Sequence, residues 1–283
     1  MVGAGNDFIV INAGPKGLNG LAKILCDRKT GIGADGVLVI EKSKIADFRM
    51  RIFNADGSEA EMCGNGLRCA VLYEGIYGRT PYHKGTGQAS AQVHKSTSKR
   101  IRVETKAGIY EGEIIGEDRV KIKMEEPKDI KLSFPLKVNG RRIKVNFINT
   151  GVPHAVIFVE GLDKIAVDII GSEIRYHNEF KPKGANVNFV EIIDDDNIKI
   201  RTYERGVEGE TLSCGTGSVA SAIIANYKSP FDCARGKQIT DSKINVHTLG
   251  GVLKVVFKRV VSEVRDVYLE GEARVVFEGQ IIS

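Results

Sequence analysis

No apolar stretch of this 283-residue chain approaches the roughly 18 to 20 residues needed to span a bilayer, so a membrane partner is not expected. Met1-Val2-Gly3 opens with neither a basic nor a hydrophobic signal region, and the expected location is the cytoplasm. None of the five cysteines stands in a C-x-x-C spacing and their number is odd, which argues against a disulfide framework and against a metal such as zinc. Reduced thiols fit best. There is no low-complexity tract, and 27% charged with 42% apolar residues is the make-up of a folded chain. A net charge of +5 is too mild to indicate nucleic acid, though it slightly favours an anionic small molecule.

What the chain does contain is a repeat. Met62-Cys63-Gly64-Asn65-Gly66 has a second copy in Ser213-Cys214-Gly215-Thr216-Gly217, and the two cysteines are 151 residues apart. Gly33 and Gly184, which open Gly33-Ala34-Asp35 and Gly184-Ala185-Asn186, share that offset of 151. Arg51-Ile52-Phe53 precedes the first cysteine loop as Arg201-Thr202-Tyr203 precedes the second. The chain reads as a duplication, with residues 1–126 plus 272–283 forming one half and 127–271 the other. Two domains of about 140 residues are an ordinary size.

In each copy the glycines precede apolar residues, Leu67, Ala70 and Val71 in the first and Val219, Ala220, Ala222, Ile223, Ile224 and Ala225 in the second. The second run is apolar on nearly every side, as expected of a helix wrapped by a sheet. Each cysteine then sits at or just before a helix N-terminus, where unpaired N–H groups and the helix dipole favour negative charge. Such a place stabilises a thiolate and also holds a carboxylate against backbone that glycine leaves unshielded. Two sites of this kind facing one another are equipment for stereoinversion, because one thiolate removes a proton from one face of a carbon while a thiol returns one to the other. The competing reading is that both are buried cysteines acting as small hydrophobes, but core filling has no need of Cys-Gly-X-Gly twice.

Elsewhere, Gly3-Ala4-Gly5-Asn6-Asp7 leads into a strand at Phe8 to Ile11, with Asn6 at its mouth either closing a turn or offering an amide to a ligand. Leu18 to Cys26 has helical spacing, and Cys26 and Cys69 read as packing. Strands are expected at Val37–Ile40, Phe48–Phe53, Ile101–Thr105, Ile109–Ile115 and Val120–Met124, with Glu125-Glu126-Pro127 ending the first half. Residues 79–100, basic and rich in Gly, Ser, Thr and Gln, read as a solvated loop. The second half predicts strands at Leu136–Val138, Ile143–Asn149, Ala155–Val159, Ile198–Tyr203, Lys243–His247, Val252–Lys258 and Val264–Leu269. Residues 228–237 read as an irregular connection carrying Cys233. The tail from Glu272 to Gly279 is expected to add a strand to the first sheet's edge. His154, in the turn after Gly151, is either a polar partner of the site or a histidine bonded to nearby backbone. Glu204-Arg205 is either a surface ion pair or a grip on a second carboxylate and an ammonium.

Together, Gly5-Asn6-Asp7-Phe8, Asn54-Ala55-Asp56-Gly57-Ser58-Glu59, Met62 to Cys69, Pro153-His154, Asn186, Glu204-Arg205-Gly206 and Cys214-Gly215-Thr216-Gly217 resemble diaminopimelate epimerase nearly end to end. The resemblance implies an α/β (α+β) fold of two pseudo-symmetric domains, each a curled, mainly antiparallel sheet around a central helix, with the active site in the interdomain cleft and commonly a homodimer. It implies a cofactor-independent, two-base interconversion of LL- and meso-diaminopimelate in lysine biosynthesis. By matching motif, Cys63 and Cys214 would be the acid/base pair. Gly64, Asn65, Gly215 and Thr216 would hold the carboxylate at the reacting carbon. Asn6, Asn54, Asn186, Glu204 and Arg205 would hold the distant end, with His154 close by. Three features depart from the pattern. Only Met1-Val2 precede the first loop, where the family usually has a short strand, so either an edge strand is missing or the start is misassigned; Val152 stands where many members have Asn; and Glu204 is ten residues before Cys214, one more than the commoner spacing. The nearest alternative is a two-cysteine racemase resembling proline racemase, which tends to have His in place of Asn65. A non-catalytic amino-acid-binding protein is the alternative from another class, and it would tolerate serine at both cysteines.

Overall fold

The computed structural model describes residues 1–12, 17–78, 100–228, 239–260 and 263–280. The chain divides into two compact units, Met1–Ile122 with Gly271–Ser283, and Lys123–Glu270.

The first unit runs β1 (Val2–Gly3), β2 (Asn6–Asn12), α1 (Leu18–Cys26), β3 (Gly36–Glu41), β4 (Phe48–Asn54), β5 (Glu59–Ala60), α2 (Gly64–Tyr77), β6 (Arg100–Thr105), β7 (Gly108–Ile114) and β8 (Arg119–Lys123). Most neighbours are antiparallel; β2 with β3 and β4 with β6 are the parallel pairs among the described residues. In α1, Leu18, Ala22, Leu25 and Cys26 fall on one face and pack on Val37, Val39 and Phe53. The other face of the sheet receives α2, which packs on strands β1 to β4 and on β7 and is buried from Asn65 to Leu72.

The second unit repeats the plan. It runs β9 (Lys128–Val138), β10 (Arg141–Asn149), β11 (Pro153–Phe158), α3 (Val167–Arg175), β12 (Asn186–Ile192), β13 (Asn197–Glu204), β14 (Gly209–Thr211), α4 (Gly215–Lys228), β15 (Ile239–Thr248), β16 (Gly251–Val260) and β17 (Glu263–Glu272). Again the pairs among the described residues are antiparallel except β11 with β12 and β13 with β15. Helix α4 packs on β10 to β13, β15 and β16, and is buried on every side from Gly217 to Ala225.

The ladders refine the repeat. Val37 pairs with Phe53 and Val187 with Tyr203, so these strands correspond at an offset of 150, one less than the cysteine loops. The additional residue lies in the turn between β13 and β14, where Gly206 and Glu208 both have positive φ. Arg51 grips Glu59 through two hydrogen bonds of 2.7 and 3.1 Å, and Arg201 grips Glu210 through two of 2.6 and 2.7 Å. Each fork clamps the short hairpin that delivers the chain to its cysteine.

Several expectations are corrected. Helix α3 was not expected: it buries only Val167, Gly171 and Ile174, and it needs Gly171 because a Cβ there would stand 2.5 Å from the Tyr203 Cβ. Strand β9 starts at Lys128 rather than Leu136, since its outer half is exposed and bulged and shows no clean alternation. Val2–Gly3 do form an edge strand, paired with Asn6–Asp7. The tail is a single bridge, Arg274 to Val2, instead of a full strand. Most of the basic segment 79–100 and the Cys233 connection lie outside the described residues. No helix among the described residues is long and apolar enough to cross a membrane.

Candidate active site

In the first unit Cys63 is the N-cap of α2, with extended φ −143° and ψ 122°, and its Sγ accepts the Gly66 N–H at 3.5 Å. This is the position where a side-chain acceptor satisfies an orphan donor, and the same donor stabilises a thiolate. The two glycines of the loop have different reasons to be there. A Cβ on Gly66 would lie 3.0 Å from Leu38 Cδ2, so close packing on the sheet requires it. A Cβ on Gly64 would meet nothing within 4 Å. Packing does not explain Gly64; open space beside helix N–H groups does, because an anion can approach there.

Asn65 is buried and donates from Nδ2 to Asn6 Oδ1 at 2.7 Å, and Asn6 Nδ2 donates to Asp35 at 2.8 Å. Two residues expected to bind substrate therefore hold each other. Asn54 ends β4 and closes a turn, its Nδ2 donating to Ser58 Oγ at 2.9 Å. Cys69 is fully buried, and burial pushes its thiol up to about 12, consistent with a packing role.

In the second unit Cys214 is buried just before α4, its Sγ 3.5 Å from Thr216 Oγ1. The Thr150 hydroxyl ties the preceding turn to this loop by donating to the Thr216 carbonyl at 3.2 Å. Glu204, the last residue of β13, accepts from Thr211 Oγ1 at 3.0 Å and is hydrogen-bonded with the Cys214 thiol. Burial holds its carboxyl above the ordinary carboxylate range, while those two hydrogen bonds pull the other way. The Glu204 carboxyl thus turns to the thiol, and among the described residues no ion pair joins it to Arg205. The Arg205 backbone N–H donates to Asn186 Oδ1 at 2.7 Å, which directs the Asn186 amide nitrogen the other way.

His154 is fully buried and lies opposite Asn186 in the β11–β12 ladder. Its Nδ1 is 3.0 Å from Asn188 Nδ2, and Asn188 Oδ1 accepts from Thr202 Oγ1 at 3.0 Å. A hydroxyl donating to the Asn188 oxygen leaves the amide nitrogen to donate to Nδ1, so the ring proton sits on Nε2, which has no partner among the described residues. Burial foremost, then the Arg205 charge, lowers the His154 pKa to about 3, so the ring is neutral. A bond to nearby backbone, one of the two readings from sequence, is replaced by this side-chain bond. Gly217 is required here as Gly66 is in the first unit: its Cβ would stand 2.4 Å from Asn188 Oδ1.

The diaminopimelate epimerase family model matches residues 1–130 and 146–276. The chain is 41% identical to diaminopimelate epimerase of Chlorobaculum tepidum, over 99% of both chains. It is 44% identical to that of Methanocella arvoryzae, over 99% of this chain and 95% of the other. The chain belongs to the diaminopimelate epimerase family. Its fold is also that of more distant proteins. A probable proline racemase from Agrobacterium radiobacter K84 superposes with a TM-score of 0.66 at 14% identity, over 98% of this chain and 92% of that one. A PhzF-family phenazine biosynthesis protein from Bacillus anthracis gives 0.60 at 17%, over 92% and 86%. Likeness at that identity concerns the fold alone.

For a member of the diaminopimelate epimerase family, sequence reasoning overlooked Asn188, Thr202, which was read only as a strand residue, and Thr211. It also passed over Arg68, whose charge inside an otherwise apolar helical run was the available signal.

Proposed function

We propose that this chain interconverts LL- and meso-diaminopimelate by a two-base mechanism without a cofactor, acting in lysine biosynthesis. The observation that carries the reading is the duplicated thiol. Each unit has one cysteine at the start of its most buried helix, beside a glycine and backbone N–H groups suited to a carboxylate.

In the proposed reaction one thiolate takes the α-proton, forming an S–H bond as the C–H electron pair passes into the carbon and its carboxylate. The opposite thiol then delivers its proton to the other face, leaving a thiol and a thiolate exchanged between the two positions. The charge that develops on the carboxylate is stabilised by the N–H groups at Gly64, Asn65, Gly215 and Thr216. Asn6, Asn54, Asn186 and Arg205 hold the distant amino-acid end, which decides which of two like carbons reacts. Glu204 receives an ammonium in the family assignment; its bond to Cys214 supports an added part in keeping that thiol protonated or accepting its proton. A cytoplasmic homodimer completes the reading, checked by sedimentation.

The test is incubation of each stereoisomer in D₂O. Deuterium should enter the α-carbon of the epimerised product, and Cys63→Ala and Cys214→Ala should each lose at least about a thousandfold in turnover. An unaltered rate in either variant removes that cysteine from the mechanism.

A further inference from the structure

Arg68 is the largest of the fully buried side chains among the described residues. Its Nη2 donates to Asn65 Oδ1 at 2.7 Å, Nη1 to the Gly64 carbonyl at 3.5 Å, and Nε to the Glu272 carbonyl at 3.4 Å. All three acceptors are neutral, and among the described residues no carboxylate pairs with it. A guanidinium cannot shed its charge, and a buried charge with neutral partners is costly unless an anion offsets it. The helix does not demand it: Val219, fully buried, holds the corresponding place in α4.

Two features say what the charge is for. The first is direction. Arginine only donates and an ionised carboxylate only accepts, so the chain Arg68–Asn65–Asn6–Asp35 has both ends fixed. The Asn65 oxygen must face Arg68 and its nitrogen Asn6; the Asn6 nitrogen must face Asp35, itself held by Arg28 at 2.9 Å. Both amides are locked one way round. The second is the identity of the anion. Burial works against the Arg68 charge, while the neighbouring Cys69 and Cys63 sulfurs favour it. Cys69 is fully buried, which pushes its thiol up to about 12, whereas Cys63 is only partly buried at the start of the same helix with its Sγ on the Gly66 N–H, and is the sulfur placed to carry negative charge. The other charge facing this place is the Met1 ammonium, which lies near Cys69.

We propose that Arg68 is the positioning residue of the first thiol loop, fixing which way the Asn65 amide faces and supplying the charge that holds Cys63 as a thiolate. The catalytic meaning of this rests on the epimerase reading; the electrostatic effect does not.

The experiment follows iodoacetamide alkylation of Cys63 by peptide mass spectrometry from pH 5 to pH 10, without substrate, in wild type, R68K and R68M. At pH 7 the Cys63 rate should fall about tenfold in R68M, and at pH 10 it should match wild type within about twofold. A merely structural lesion would shift the rate at every pH. R68K, which keeps the charge and loses the fork, should retain the pH 7 rate while raising KM for epimerisation. Should R68M fail to fold, R68Q makes the same comparison. Equal rates at pH 7 in wild type and the neutral variant overturn the proposal. A chain without epimerase activity but with this labelling pattern would overturn the functional reading and leave Arg68's effect standing.

Discussion

The two halves share a frame and differ in what lies beneath it. Against Gly66 the first sheet presents Leu38 and Ile52, cross-strand neighbours in β3 and β4. At the corresponding ladder position beneath Gly217 the second sheet presents Asn188, bonded to His154, and Thr202, whose hydroxyl donates to Asn188. In compensation the first helix carries the buried Arg68 where the second has Val219. One unit therefore buries a charge within the helix, the other an amide and an imidazole within the sheet. Duplication preserved the backbone that delivers a thiol to a helix start, while the surroundings of each thiol diverged: a cation near Cys63 and a carboxyl hydrogen-bonded with Cys214.

Exchanging the two undersides should break this comparison most severely. Leu38→Asn buries an amide without partners and removes apolar contact, and is expected to cost about 4 kcal/mol in urea unfolding; Asn188→Leu, which strands Thr202 and His154, about 3 kcal/mol. A loss below about 1 kcal/mol in both would mean that the two undersides are interchangeable. The arginine forks should differ more subtly. Arg201 also donates to the Leu162 and Ile165 carbonyls at 3.2 and 2.9 Å, so Arg201→Met should destabilise by about 2 kcal/mol against about 1 kcal/mol for Arg51→Met. Equal losses would show that the two additional bonds contribute no more than the contact of Arg51 with Glu41 at 3.5 Å.

The smallest effect is one of pH. The folded-state pKa of His154 is depressed by burial to about 3 from the ordinary 6.5, so its contribution to stability is complete above 6.5 and is lost as pH falls toward 3. Through that window the unfolded chain binds a proton that the folded one does not, a slope of up to about 1.4 kcal/mol per pH unit. His154→Gln should remove this slope. Urea titrations of both proteins at pH 7, 5 and 4 measure it, and parallel curves would mean that the ring is protonated in place.

Much of this was legible in the sequence because it rests on local rules. Glycine after cysteine marks a helix start, and Leu18, Ala22 and Leu25 mark an apolar face. Helix α3 was not, because Gly171 and two adjacent isoleucines weaken its helical propensity and only the approach of Tyr203 rewards it. Nor was Asn188: strand periodicity tells that a residue faces inward, but cannot tell that a histidine from one neighbouring strand and a threonine from another will meet it.

The amino-acid order alone determined the duplication, the two thiols and the glycines around them, since these are properties of short segments whose backbone geometry depends on nearby residues. Tertiary structure decided the one-residue difference in strand offset, the partner of Glu204, the ring nitrogen that carries the His154 proton and the burial of Arg68. Each of these depends on groups distant in the chain, and burial sets the cost of a charge or an unpaired amide only once the sheet has closed around it.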